Sequence, residues 1–158
     1  MKISAPPRAR HQQSFPVSGD ADTVFALMCP VRECDWLESW SPGKVLTHSG
    51  LVEPECVFTS RDNNGESTWL VPDHDPVARR IRLVKFTPDF TVCLLTIDVE
   101  SGGANNCTVS VCYSYTALSD KGVRFVNEFT ESRYLEIMQH WQAAIQHYLD
   151  HGQPLPGS

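Results

Sequence analysis

Two tyrosines set two residues apart, Tyr113 and Tyr115, are the first candidates for chemistry in this chain. In an extended segment side chains repeat every second residue, so both hydroxyls point to one side of a sheet. If that side is covered, each phenol needs a partner, either backbone and water, the commoner case, or a polar group of a bound molecule. In "RIRLVKF", Arg82 and Lys85 stand three apart, so an unbroken strand cannot send both to solvent. Either a bulge intervenes or one charge faces inward, where Lys85 would meet an anionic group; the rarity of buried charges favours a bulge or a sheet edge. His48 and His74 fall in turn-rich stretches, and either is an acid or base if it reaches the same space. Two such groups within hydrogen-bond reach of one point would make a proton-transfer site.

Metal chemistry finds weaker support. His140, His147 and His151 run down one helical stripe, and the last two have the i, i+4 spacing of chelating pairs. No helical Glu stands between them in HExxH order and no third ligand is evident, so no metal is assigned. "DHD" at 73–75 precedes Pro76 and reads as turn chemistry. The six cysteines (Cys29, Cys34, Cys56, Cys93, Cys107 and Cys112) contain no CxxC and are expected to be free thiols. No cofactor is implied.

These groups must be held by elements, and the pattern of the chain supplies them. "FTESRYLEIMQHWQAAIQHYLDHG" places Tyr134, Ile137, Met138, Trp141, Ala144, Ile145 and Tyr148 on one face at i, i+3, i+4 and i+7, which predicts a long helix from about 130 to 150. It would be about 30 Å long, enough to cross several strands. Before it, residues 44–48, 55–61, 66–71, 80–87, 90–101 and 104–118 alternate like strands, separated by Gly, Pro, Asn and Asp. Connections this short join antiparallel neighbours. Cys93, Leu95, Ile97 and Val99, with Cys107, Val109, Val111, Tyr113 and Tyr115, give an apolar face that the long helix must cover. A first strand is expected over 9–17. "SGDADTVFALMCP" then carries a helix capped by Asp20 or Asp22 and stopped by Pro30, and "PVRECDWLESW" a second short one.

At 158 residues the chain suits one domain, 1–158, with a core at 9–150 and flexible ends at 1–8 and 151–158. The formal net charge is −6 and the thirteen Lys and Arg are scattered, "ARRIR" being their one local concentration, so no nucleic-acid partner is expected. No apolar run has signal-peptide or membrane-spanning length, which points to a cytoplasmic protein without a membrane span. A homodimer is left open.

The order of strand, two short helices, six-strand meander and long helix, with "PVRECDWLESW", "VFTS", "STWLVPDHDP" and "HWQAAIQHYL", resembles the START-like (SRPBCC, pollen-allergen-like) superfamily. The resemblance implies an α+β helix-grip fold: a seven-stranded curved antiparallel sheet wrapped around the C-terminal helix, with a cavity between them. It carries over no catalytic signature. Inward candidates for the cavity wall are the aromatic Phe58, Trp69, Tyr113 and Trp141, with the aliphatic Leu83, Leu95, Ile97 and Val111 and the thioether Met138. The leading expectation is therefore a domain that binds or carries a small hydrophobic or aromatic molecule, lipid- or polyketide-like. Two alternatives remain open: a cyclase- or dehydratase-type enzyme using the same cavity, with Tyr113, Tyr115, His48 or His74 as acid or base, and an interaction module, co-chaperone-like, docking through exposed Trp36 and Trp40.

Overall fold

The computed structural model describes Met1 and residues 3–158. Strand β1 (Arg8–Val17) is followed by α1 (Ala21–Ala26), a single 3-10 turn (Arg32–Asp35) and a meander of β2 (Val45–Leu46), β3 (Val57–Asp62), β4 (Gly65–Asp75), β5 (Arg80–Thr87), β6 (Thr91–Ser101) and β7 (Cys107–Ala117). Helices α2 (Asp120–Glu128) and α3 (Glu131–His151) close the chain. The seven strands form one antiparallel sheet in the order β1-β7-β6-β5-β4-β3-β2, so β1 returns to pair with the last strand. No helix among the described residues is long and apolar enough to cross a membrane.

Register places the inward side chains in rows across the sheet. One row runs Phe58, Trp69, Lys85, Cys93, Tyr115; the next runs Leu83, Leu95, Tyr113, His11; a third runs Ile81, Ile97, Val111. Partners directly opposite share a face, so Lys85, opposite inward Trp69 and Cys93, faces inward as well. This corrects the preference for a bulge in β5: that strand pairs with β6 without interruption, and the bulge lies in β4, between Leu70 and Asp73. Pro72 sits in it, at a position where a strand tolerates the loss of an N–H. The extra residue switches the inward parity of β4 from odd to even numbers, so His74 turns inward opposite Ile81 while Asp73 and Asp75 turn out toward Arg82 and Arg80. His74 thus lies in a strand, whereas the sequence places it in a turn; alternation read without the bulge ends the strand too early.

Helix α3 is capped as its sequence requires. Thr130 Oγ1 accepts from the Arg133 amide, and Gly152 takes the left-handed conformation (φ 71°) that ends the last turn. Tyr134, Met138, Trp141, Ala144 and Ile145 are buried against the sheet, and the Tyr134 hydroxyl donates to the Val111 carbonyl at 2.6 Å. Asp20 is the α1 cap, accepting from the Thr23 amide at 3.0 Å. The second short helix reduces to the 3-10 turn at Arg32–Asp35, too short a segment to hold more helix without packing. Helix α2 is absent from the sequence reading. Its N-cap Ser119 accepts from the Gly122 amide at 3.2 Å. Gly122, which weakens the helical pattern in sequence, is needed because a Cβ there would collide with the Phe90 carbonyl. The C-terminal tail, expected to fray, is tied down: the Ser39 amide donates to the Ser158 carbonyl at 2.7 Å and the Gly157 amide to Glu38 at 2.7 Å.

Candidate functional site

Between α3, the 28–40 segment and the concave face of the sheet lies a cavity of about 210 Å³. Its roof is Met28, Pro30, Trp36, Trp40 and Trp141. Its floor comes from the two adjacent rows, Phe58, Trp69 and Lys85 from one and Leu83, Leu95 and Tyr113 from the next, with Ile97 and Tyr115 at the edges. The rings hold one another: Phe58 and Trp69 stack at 5.3 Å and 11°, and Trp36 meets Trp141 edge-on at 5.4 Å. Trp36, Trp40 and Trp69 satisfy their indole N–H groups inside the protein, on the Leu27 carbonyl, the Pro30 carbonyl and the Ser60 hydroxyl.

Of the residues the sequence nominates, Phe58, Trp69, Trp141, Leu83, Leu95, Ile97 and Tyr113 border this space. Val111 and Met138 do not: both are fully buried in solid core, Val111 one row beyond the hollow and Met138 one turn before Trp141 on α3. His48 lies beside Glu53 in an exposed loop and His74 stacks on Phe25, each away from the cavity, so neither pairs with the tyrosines. Trp36 is buried and Trp40 half-buried, so of the two indoles that the interaction reading needed exposed, Trp36 is not available and Trp40 is available in part.

Four polar groups reach the hollow. The Lys85 ammonium lies 3.3 Å from Asp62 Oδ2 and 5.2 Å from the centroid of the Trp69 ring, a cation held between a carboxylate and an aromatic face. Tyr113 and Tyr115 are neutral phenols, their pKa values pushed well above the ordinary tyrosine value by burial. Tyr115 lies against the Cys93 thiol, itself raised to about 12 by burial. Glu33, on the 3-10 turn, is the group that sequence reasoning missed. The residue is partly exposed where it borders the part-open cavity, and desolvation by the surrounding protein raises the acid to about 8. Among the described residues neither the Glu33 carboxyl nor the Tyr113 hydroxyl forms a side-chain hydrogen bond. In sequence, Glu33 looks like the polar side of an amphipathic helix, and only the collapse of that helix to one turn directs it inward.

A shallower recess of about 230 Å³ on the α2 side shares Lys85 and Tyr115 with the cavity, so these two side chains stand as a partition between them.

No protein-family model matches the chain. No curated protein matches it either. Solved structures do. A truncated norcoclaurine synthase from Thalictrum flavum superposes with a TM-score of 0.69 at 14% identity, over 94% of this chain and 98% of that one. The chain has the helix-grip fold. The same synthase in complex with dopamine and hydroxybenzaldehyde aligns with a TM-score of 0.66 at 14% identity, covering 92% of this chain and 89% of that one. The di-domain ARO/CYC protein BexL from the BE-7585A biosynthetic pathway gives 0.63 at 20% identity, over 90% of this chain and 46% of BexL, about one of its two domains. At these identities the helix-grip likeness is one of architecture, and what this chain does rests on the cavity's own residues.

Proposed function

We propose that the protein binds a small single-ring aromatic molecule bearing an acidic group, with the ring between the Phe58–Trp69 stack and Trp141 and the acid against Lys85. The observation that carries this reading is the size and lining of the hollow. A dry cavity of roughly 150 Å³ accepts benzene, so 210 Å³ suits one substituted ring. Indoles and a phenylalanine supply flat apolar walls, and Lys85 is the one cation among the lining side chains. The protonated Glu33 carboxyl and the Tyr113 hydroxyl are free to donate to a ring substituent. The synthase named above is known with dopamine and hydroxybenzaldehyde, both single-ring aromatics, which is support by analogy of fold.

A second reading, an enzyme acting in the same cavity, is favoured by one feature: an acid raised to about 8, Lys85 and two neutral phenols line one cavity. Such a Glu33 can give and regain a proton near neutral pH.

Titration of the protein with 4-hydroxybenzoate and with 4-hydroxybenzamide, followed by tryptophan fluorescence and calorimetry, tests the binding reading. The acid should bind more tightly than the amide, and Lys85→Met should abolish that preference while leaving the amide's affinity within about threefold, the pattern of a lost charge-assisted contact. No saturable quenching at millimolar ligand, or an acid preference that survives Lys85→Met, would remove it.

A further inference from the structure

We propose that the groove on the far side of α1 is a second binding site, separate from the cavity, for a planar aromatic carboxylate. Residues of one segment serve both spaces. Met28, Pro30 and Glu33 face the cavity, whereas Phe25, Cys29 and Arg32 face an open groove of about 590 Å³ closed on its other sides by the Leu51–Val52 loop and the β4–β5 turn. Among the described residues no side chain borders both.

The groove has a flat aromatic floor: the Phe25 and His74 rings stack at 5.4 Å and 11°. Burial lowers the pKa of His74, so at neutral pH the imidazole is uncharged, and among the described residues its ring makes no side-chain hydrogen bond. A ring nitrogen beside the groove is therefore free for a ligand. Leu51 and Val77 stand on opposite rims, 47% and 88% exposed, large apolar side chains left in water unless a flat molecule lies between them.

Charge defines the other half of the ligand. Arg32 and Arg79 line the groove against the single carboxylate of Asp22, in a chain whose formal net charge is −6. Arg79 Nη1 lies 2.9 Å from Asp22 and its Nε donates to the Val99 carbonyl at 3.2 Å; Arg32 Nε lies 3.0 Å from Asp35. Each guanidinium carries five N–H groups, so donors remain for an incoming carboxylate. The backbone at Arg79 is left-handed, φ 52°, where a turn is occupied most readily by Gly. An arginine is held there in spite of the strain, with its head group at the rim, and such strain collects at functional sites.

The test is 2-naphthoate titrated into the intact chain, with 2-naphthamide as the uncharged control and the His74 ring and Arg79 side-chain NMR signals as site-resolved readouts. Saturable shifts at both residues, stronger for the acid, are expected. Arg79→Gly, which relieves the backbone strain and should fold at least as well, should weaken the acid by about tenfold or more. His74→Ala should weaken acid and amide alike, and Lys85→Met, in the cavity, should change neither. Shifts confined to cavity residues, equal binding of acid and amide, an affinity untouched by Arg79→Gly, or no saturation at millimolar concentration would each overturn the proposal. None of these outcomes bears on whether 4-hydroxybenzoate enters the cavity.

Discussion

The two ends of the space between helix and sheet are built from the same kind of residue and come out differently. At the α2 end, Tyr115 meets Phe125 and Phe129 edge-on at 5.0 Å each, Phe129 meets Tyr134 at 5.8 Å, and His11 stacks on Tyr134 while bonding the Phe129 carbonyl at 2.6 Å, so the rings close on one another and the recess of about 230 Å³ lies to their outer side. At the α1 end, Trp36, Trp40, Phe58, Trp69 and Trp141 ring a hollow. Aromatic content does not decide between packing and cavity; the covering element does. Helix α2 and the link after it press Phe125 and Phe129 into the rows of the sheet, whereas the segment after α1 sets Trp36 against Trp141 and Trp40 against Phe58 and Trp69, so its rings meet the walls of the hollow and leave the space between them.

Core substitutions should break the symmetry most visibly. Phe129→Ala removes a ring that touches five others and should cost about 3–5 kcal/mol in urea denaturation. Adding volume makes the sharper contrast. Val109→Phe, in a fully buried position, should cost about 1–3 kcal/mol through overpacking. Leu83→Phe, facing the hollow, should be nearly neutral, because the new atoms enter unoccupied space, and should abolish 4-hydroxybenzoate binding. Equal costs at the two positions would mean that the hollow closes in solution.

That contrast also marks what could be read from the sequence. Period-two alternation in β6 and β7 and the i, i+3, i+4 stripe of α3 are long, regular signals, and they carried the sheet, its covered face and the covering helix. Helix α2 was illegible because its Gly122 answers to a backbone carbonyl distant in sequence, and with it went the reason one end is packed. The β4 bulge hid the direction of His74 for a similar reason: one unpaired residue reverses every side chain beyond it and leaves no mark in composition. Lys85 was ambiguous for want of its neighbours, since only its pairing with Trp69 and Cys93 fixes its face.

The two ends also differ in how they treat polar atoms, which makes the comparison sensitive to pH. Glu33 faces the hollow with no side-chain hydrogen bond among the described residues, and its folded pKa of about 8 stands above the ordinary value of 4.5. The folded state therefore holds a proton that the unfolded state has released between those values. Its contribution is complete below about pH 4.5 and is lost as pH rises toward 8 and beyond, a loss on the order of a few kcal/mol. Unfolding free energies measured by urea titration from pH 5 to pH 9 should fall, and Glu33→Gln should flatten the slope. A slope unchanged in the variant would place the proton on another group.

The smallest effect is the most discriminating. Tyr134 on α3 is a buried phenol and Tyr113 on β7 a partly buried one, their rings 6.0 Å apart, but Tyr134 donates to the Val111 carbonyl at 2.6 Å, while the Tyr113 hydroxyl borders the cavity with no side-chain hydrogen bond among the described residues. Tyr134→Phe should therefore cost about 1 kcal/mol, the net worth of one buried hydrogen bond. Tyr113→Phe should leave unfolding unchanged within about 0.5 kcal/mol and weaken the cavity ligand instead. A polar group whose removal costs binding but not folding is one that the fold holds in reserve for a guest. If Tyr113→Phe proved as destabilising as Tyr134→Phe, its hydroxyl would already be satisfied by the protein or by fixed water, and the α1 end would be a wet piece of core.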